Sequence, residues 1–384
     1  MASVAKREWT HKGETKTAWV VRYTDQGGKR RMKTFDKKRD ADQYRNKVET
    51  EVERGEHIIP SRATTVRAAC DAFIKQVEVR HSCGEVSAGW LSIVRNVINV
   101  HIVPALGARQ LATLTIDDIQ ALHKRFLDRQ SPLTAKQNMM ILGQIERFAV
   151  RRKLTMKMPI KDYSADIGPT TYKPIRTFNI EHAKEILRLS AIKRKGCQER
   201  SYMFTRCMVE IAIFCGLRWG EIQALTVSSF DFDQGFIKVR QSLTRYDILK
   251  SPKTPSGVRD VPMPARVADL VKVWIDRFYL ENERGLLFRT RTGTPYYCSH
   301  FHTWNWRPLL VDAGLPSNGD GFHHFHALRH FAASMMIEAG LAITDVASIL
   351  GHRKFDMTLQ VYAHPIVGIG RRHQAAEQIA EVLA

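Results

Sequence analysis

Phe325–His330 (FHALRH) is the stretch of this sequence that most constrains the fold. It places His326 and Arg329 three residues apart, beside apolar residues that recur at helical spacing. The pattern predicts a core helix here, with the imidazole and the guanidinium one turn apart on an adjacent face. The apolar positions of that helix are Leu328, Phe331, Met335 and Met336.

The same stretch is rich in histidine, because His323 and His324 come just before it and His330 ends it. A metal site is therefore an alternative. The helical zinc motif requires a glutamate after its first histidine, but position 327 is alanine. Two arginine motifs would also repel a cation. We reject the metal site and predict no cofactor; a metal hydrolase would instead be sensitive to EDTA.

Gly216–Glu221 (GLRWGE) supplies a second arginine upstream. It follows a strongly apolar helix predicted over Tyr202–Cys215, so Arg218 lies at a helix break three residues before Glu221. A buried guanidinium needs an anionic partner, and Glu221 could fix its orientation. A purely structural ion pair explains the same two residues, so this motif alone does not decide a function.

Lys253, His352 and Tyr362 are further polar residues of this half of the chain. Lys253 lies on a hairpin predicted over 250–262, where a lysine is usually solvated, although neighbouring cations could lower its pKa until it donates a proton. His352 follows Gly351, which ends a predicted helix. Tyr362 falls on another predicted helix, where a tyrosine usually belongs to a core or an interface.

The net charge of +20 is the compositional feature that bears on partners. Such a balance favours a polyanion, most often a nucleic acid, although a generally basic protein is the plainer alternative. The six cysteines form no CxxC pair, and they are typical of buried thiols in a reducing compartment. We find no signal peptide and no apolar run long enough to span a membrane, so we expect a cytoplasmic protein with no membrane partner.

Residues 1–60 are predicted to form a small basic domain. Two strands, at 19–23 and 30–35, flank turn residues, a third strand begins near Trp9, and a helix follows over 37–54. Residues 1–47 hold 14 Lys and Arg against 6 Asp and Glu. Such a ribbon fits the major groove of B-DNA, and a solvated hairpin is the alternative. The basic residues on the hairpin are Arg22, Lys29, Arg30, Arg31 and Lys33.

Residues 61–165 are predicted to form a four-helix bundle. Thr65, Thr115 and Ser131 are N-cap candidates, and Pro104 with Gly107 is predicted to end the second helix. The stretch 158–177 is rich in proline and glycine and predicts a linker, which we bound at 166–176. The remaining domain is 177–384.

The ordered polar set of the C-terminal half resembles the tyrosine recombinases, the phage-integrase family. The set is Arg218, Lys253, His326-x-x-Arg329, His352 and Tyr362. The flanking residues agree too: Gly-Leu-Arg-x-x-Glu at 216–221, Lys-Thr-x-x-Ser-x-x-Arg-x-Val-Pro at 253–262, His-x-Leu-Arg-His at 326–330, Leu-Gly-His at 350–352 and Tyr-Ala-His at 362–364. The resemblance is strong over the last 210 residues or so and general before them.

The resemblance implies a role for each residue of the set. Arg218 and Arg329 would bind the non-bridging oxygens of the scissile phosphate, and Glu221 would orient the arginine. Tyr362 would attack phosphorus and Lys253 would protonate the leaving 5′-oxygen. His326 and His352 would hydrogen-bond the phosphate, with His326 a candidate base. The other histidines near His326 would then be structural or DNA-facing.

The implied fold is multidomain and mainly α with small β-sheets: an N-terminal three-stranded sheet plus helix, a central four-helix bundle and a C-terminal α+β catalytic domain. The implied function is site-specific recombination that integrates or excises a mobile element such as a prophage, without metal or ATP. The implied partners are double-stranded DNA with core-type and arm-type sites, a homo-tetramer assembled on DNA, a host DNA-bending protein and an excisionase. The amphipathic segment 371–384 is a candidate for docking onto a neighbouring protomer.

Three alternatives stay open. The first is a dimer-resolving recombinase or a type IB topoisomerase of the same superfamily, although the basic N-terminal domain favours an integrase. The second is a DNA-binding regulator that has lost catalysis, although a pure binder has no need of Tyr362. The third is the metal hydrolase already described.

Overall fold

The structure is a computed structural model that describes residues 2–11, 14–24, 28–53, 64–155, 159–164, 177–252 and 257–351. The chain divides into two compact units, Met1–Tyr172 and Lys173–Ala384. Mainly helical units with small antiparallel sheets confirm the predicted fold class. Among the described residues, no helix is both long enough and apolar enough to cross a bilayer.

The first unit begins with an antiparallel sheet of order β1–β2–β3 and one helix. The elements are β1 (Ser3–His11), β2 (Glu14–Thr24), β3 (Arg30–Phe35) and α1 (Lys38–Glu53). Successive residues of a strand point to opposite faces, so Val21 and Tyr23 lie on the face that packs against Ala41 and Val48 of α1. The predicted strands and helix are therefore present.

A group of helices makes up the rest of the first unit. They are α2 (Val66–Ser82), α3 (Ala88–Asn96), α4 (Val103–Leu106), α5 (Ile116–Leu127), α6 (Pro132–Arg151) and α7 (Pro159–Ser164). The predicted caps are observed: the side chains of Thr65, Thr115 and Ser131 each accept a hydrogen bond from the backbone N–H three residues on.

Two predictions for this unit are wrong. Pro104 does not end the second helix, because a π-helical turn at Val97–Ile102 joins α3 to α4. The wider turn removes the clash between a proline ring and the carbonyl one turn earlier. Part of the predicted linker 158–177 is the helix α7, whose Ile160 is buried and donates its N–H to Glu146 Oε2 at 3.1 Å. The bounded linker 166–176 lies outside the described residues.

The second unit packs helices and short strands around one large core. Its helices are α8 (Ile180–Ser190), α9 (Glu199–Cys215), α10 (Trp219–Gln223), α11 (Ala265–Phe278), α12 (Cys298–Phe301), α13 (Arg307–Asp312), α14 (Ala327–Glu338) and α15 (Ile343–Leu350). Its strands are β4 (Phe230–Asp231), β5 (Phe236–Val239), β6 (Ser242–Leu243), β7 (Leu249–Lys250) and β8 (Arg259–Pro262). The central helix α9 contacts α8, α11 and α14.

The predicted hairpin at 250–262 is not formed by its own two arms. β7 pairs with β6, whereas β8 pairs with β5 in the sheet β4–β5–β8. The reason is local turn chemistry, because Thr244 N–H donates to Ile248 O at 3.0 Å and Asp247 adopts a φ of 58°. This turn closes the β6–β7 pair before the chain reaches β8.

Candidate active site

The end of α9 and the start of α10 place Arg218. Gly216 ends α9 with a φ of 63°, in the left-handed region that favours glycine. A side chain at 216 would put its Cβ 2.6 Å from Leu350 Cδ2, so glycine also permits the close approach of α15. Arg218 is the N-cap of α10 and its backbone N–H donates to Glu221 Oε2 at 3.0 Å. The GLRWGE sequence thus forms the tight turn between α9 and α10.

Glu221 is a buried carboxylate shared by three arginines. Arg218 Nη1 donates to Oε1 at 2.7 Å, and Arg259 donates from both terminal nitrogens, at 2.9 Å to Oε2 and 3.2 Å to Oε1. Arg329 Nη1 lies 3.8 Å from Oε2. Burial favours a high pKa for Glu221, but the Arg259 hydrogen bonds and the charges of Arg259, Arg218 and Arg329 outweigh it and lower the pKa to about 2.

Arg329 points into the protein from the first turn of α14. Only 2% of the residue is exposed, and its guanidinium donates to Gly216 O at 2.6 Å and to Leu350 O. Arg218 differs, because 37% of its side chain is exposed while its stem leads to Glu221. The two arginines therefore reach one carboxylate from stretches of sequence more than 100 residues apart.

The C-terminal end of α15 receives hydrogen bonds from the same arginines. Arg259 Nε donates to Ile349 O at 2.6 Å and Arg329 donates to Leu350 O. Arg218 makes longer contacts of 3.4 Å to the carbonyls of residues 350 and 351. These carbonyls form the negative end of the helix, where cations are favoured.

His326 and His330 form an edge-to-face pair beside the arginines, with ring centroids 4.9 Å apart. His326 is the N-cap residue of α14 and keeps part of its surface in solvent while its ring packs on His330, whereas Arg329, three residues later, is buried. Loss of hydration, then His330 and the charges of Arg329 and Arg218, lower the pKa of His326 to about 4. Loss of hydration and Arg329 lower the pKa of His330 to about 4. Both imidazoles are neutral at pH 7.

The neighbouring histidines take part in aromatic packing. His323 stacks on Phe178 at 4.6 Å and its carbonyl accepts a hydrogen bond from Trp306 Nε1. His324 packs against Phe322 at 4.5 Å. Within the described residues, no three His, Cys, Asp or Glu side chains are placed to hold a metal ion.

The structure therefore brings together four of the predicted residues: Arg218, Glu221, His326 and Arg329. Lys253, His352 and Tyr362 lie outside the described residues. Arg259 was missed as a partner of Glu221. The feature that could have revealed this role is the alternation of β8. Arg259 and Val261 are buried, whereas the residues between and after them are exposed. An arginine in the buried register of a strand requires an acid nearby.

The predicted basic residues of the N-terminal domain divide between the two faces of the sheet. Arg22 pairs with Met32 and Thr24 pairs with Arg30, on the face opposite α1. Arg31 and Lys33 pair with Tyr23 and Val21 on the α1 face, where Lys33 Nζ lies 4.3 Å from the Tyr44 ring centroid. Lys29 precedes β3. The five residues therefore do not form one surface.

Three arginines around one buried carboxylate make a cationic site, and comparison with known proteins identifies the domain that carries it. Residues 181–367 match the phage integrase family. These residues, a little under half of the chain, therefore carry a phage integrase (tyrosine recombinase) domain.

Three similar proteins illustrate the match. A tyrosine recombinase XerC-like protein of Caldanaerobacter subterraneus is 27% identical over 179 residues, which cover 41% of this chain and 44% of the relative. The solved Tn1549 transposon integrase in complex with a circular intermediate DNA matches with a TM-score of 0.64 at 21% identity, covering 84% of this chain and 100% of that one. A lambda integrase tetramer bound to a Holliday junction matches with a TM-score of 0.59 at 17% identity, covering 89% and 92%. Sequence similarity thus spans less than half of the curated relative, and the structural matches show the fold.

Proposed function

We propose that the protein is a site-specific DNA recombinase, an integrase that cuts and rejoins DNA through a 3′-phosphotyrosine to integrate or excise a mobile element such as a prophage. The observation that carries the proposal is the convergence of Arg218 and Arg329 on the buried Glu221. The phosphoryl group gains negative charge in the transition state of its transfer between two oxygens, and fixed guanidinium groups stabilise that charge.

The proposed reaction uses the chain's own residues. Arg218 and Arg329 hold the non-bridging oxygens, and the Tyr362 phenol attacks phosphorus. Lys253 gives a proton to the leaving 5′-oxygen. His326, neutral at pH 7, and His352 bond to the phosphate, with His326 available to accept the phenol proton. A 5′-hydroxyl of another strand then displaces the tyrosine, so the phosphodiester energy is kept and ATP is not consumed.

Covalent capture tests this proposal. The DNA that flanks the gene is supplied as a duplex with a nick beside each candidate cleavage position, so that a short fragment diffuses away and the adduct accumulates. We expect an SDS-stable protein–DNA adduct in the presence of EDTA and without ATP. Tyr362→Phe abolishes the adduct, whereas the matched control Tyr297→Phe, on an exposed tyrosine of the same unit, leaves it unchanged. An adduct formed by Tyr362→Phe would refute the assignment of the nucleophile.

The domains divide the DNA between them in this proposal. Residues 1–60 bind arm-type sites, residues 61–165 bind core-type sites and residues 177–384 carry out catalysis. Four copies assemble on two duplexes, with a host DNA-bending protein and an excisionase as accessory partners. The proposed reaction takes place at the bacterial nucleoid.

The face opposite α1 is the proposed arm-binding surface. Arg7, Lys16, Arg22 and Arg30 are all exposed there, and the register places Arg7 beside Ala18 and Arg22 beside Met32. Exposed arginine and lysine side chains on such a sheet can contact phosphates and base edges. Lys33 lies on the other face, so sequence alternation separates DNA-facing cations from structural ones.

A matched pair of variants tests this surface. Arg30→Gln should weaken binding to arm-type DNA. It should also reduce the slope of the logarithm of the binding constant against the logarithm of salt concentration by about one. Lys33→Gln should leave both unchanged, because that side chain packs over Tyr44. Binding is measured by fluorescence anisotropy over a salt series. Equal effects of the two substitutions would contradict the choice of face.

A further inference from the structure

Arg259 connects two parts of the site that are far apart in sequence. Its terminal nitrogens hold both oxygens of Glu221, at 2.9 and 3.2 Å, and its Nε holds Ile349 O at 2.6 Å. Only 8% of the residue is exposed, so its side chain contacts other protein groups and is not placed to contact solvent or a ligand. The five N–H groups of a guanidinium can serve two acceptors at once, which a lysine cannot do with the same geometry.

The same two anchors also hold the arginines of the proposed reaction. Glu221 accepts from Arg218 at 2.7 Å, and the carbonyl of Leu350 accepts from Arg329. Arg259 therefore holds the carboxylate that fixes one phosphate-binding arginine and the helix end that receives a bond from the other. The helix end is also the point from which the chain proceeds through Gly351 to His352.

We infer that Arg259 is a positioning residue of the proposed recombination reaction. It fixes Glu221 and the C-terminal end of α15 relative to each other, and through them it sets the guanidinium groups of Arg218 and Arg329. This inference rests on the proposed function. It predicts that the loss of Arg259 slows phosphoryl transfer without removing the DNA contacts themselves, because Arg259 is buried.

The test separates binding from cleavage in the full chain. Arg259→Gln and Arg259→Lys are compared with the wild type for affinity to nicked duplex and for the rate of adduct formation at saturating DNA. Displacing a catalytic group by about 1 Å lowers the reaction rate by about 100-fold. Arg259→Gln should therefore lower the rate of adduct formation by about that factor, while the affinity for DNA stays unchanged within about twofold. Arg259→Lys keeps the positive charge but loses the forked N–H groups of the guanidinium, so its rate should lie between those of the wild type and Arg259→Gln. The matched control is Arg188→Gln, an exposed arginine of α8 that pairs with Glu185 and makes no hydrogen bond or ion pair with Arg259 or Glu221 among the described contacts.

The pH profile gives a second readout, which a merely structural role would not change. The Arg259 hydrogen bonds and charge are the largest causes that lower the pKa of Glu221. In Arg259→Gln this pKa rises from about 2 toward 4.5, so the cleavage rate should fall further as the pH is lowered from 5 to 4, where the wild-type Glu221 stays ionised. Adding Glu221→Gln to Arg259→Gln should remove that acid limb.

The outcomes distinguish the two proposals. If the wild type forms no adduct on any flanking DNA, the proposed function fails. If the wild type forms it and both Arg259 variants match its rate, the positioning inference is overturned. It is also overturned if DNA affinity falls in proportion to the rate, because Arg259 would then act in binding. If Arg259→Gln does not fold, Arg259→Lys alone decides by the same criteria.

Discussion

Replacing Glu221 with glutamine would remove one charge and almost no volume from the centre of the candidate site. The environment lowers the pKa of Glu221 from 4.5 to about 2, despite burial that acts in the opposite direction. That difference corresponds to about 3 kcal/mol of preference for the charged form. Breaking a buried ion pair by removing one partner costs about 3–5 kcal/mol in other proteins, which is consistent. We therefore expect Glu221→Gln to lower the free energy of unfolding by about 3 kcal/mol at pH 7.

The pH dependence of this loss follows from the direction of the shift. A carboxyl whose pKa is lower in the folded state adds stability above its unfolded pKa of 4.5, and that stability disappears as the pH falls through about 2. The difference between wild type and Glu221→Gln should thus be constant above pH 5, shrink from pH 4.5 downward and vanish below pH 2. The measurement is urea unfolding of the full chain, followed by the fluorescence of the buried Trp274 and Trp306.

A surface pair provides the control. Glu185 accepts two hydrogen bonds from Arg188, but both side chains are exposed on α8. Glu185→Gln should leave the unfolding midpoint unchanged within error, since water screens exposed pairs. If Glu221→Gln costs less than about 1 kcal/mol, or if its cost does not change between pH 5 and pH 2, the carboxylate does not organise the arginines as described.

Two further predictions concern the backbone and the histidines. Gly216→Ala should destabilise more than Gly235→Ala, because both have φ near +65° but only the first would bring a Cβ within 2.6 Å of Leu350; equal losses in urea unfolding would contradict the contact argument. His330→Asn should reduce the acid sensitivity of the fold between pH 6.5 and about 4, where the unfolded chain gains protons that the folded His326 and His330 do not; an unchanged slope of stability against pH would refute this.

Local sequence signals predicted much of the fold. The side chains of Thr115 and Ser131 cap helices where predicted, because the N-cap bond involves residues only three apart. Gly216 and Gly351 end helices as predicted because both adopt positive φ. The pairing of Arg218 with Glu221 is equally local, since both lie on one short helix and its cap.

Non-local geometry is what the sequence left out. The helix α11 (Ala265–Phe278) was not predicted, and β8 was assigned to the wrong partner, because strand pairing depends on which turn closes first. The sequence motif at 253–262 contains Arg259 but indicates no role for it. Its partner Glu221 lies 38 residues away, and its other acceptor, Ile349 O, lies 90 residues away. No periodicity within β8 encodes either distance.

The charge balance of the described part of the site favours the binding of an anion, as the proposed function requires. Three guanidinium groups, those of Arg218, Arg259 and Arg329, face one carboxylate and the C-terminal end of α15. The helix end acts as about half a negative charge, so the described groups leave a surplus of about +1.5. A buried surplus is costly unless an anion neutralises it, and a phosphodiester carries one negative charge that grows during transfer. Since Arg259 is the most completely engaged of the three with Glu221, the surplus falls on Arg218 and Arg329, and of these only Arg218 has an exposed side chain. Of the three guanidinium groups, that of Arg218 is therefore the one that an anion from solvent can contact, because Arg329 is buried and donates to two backbone carbonyls.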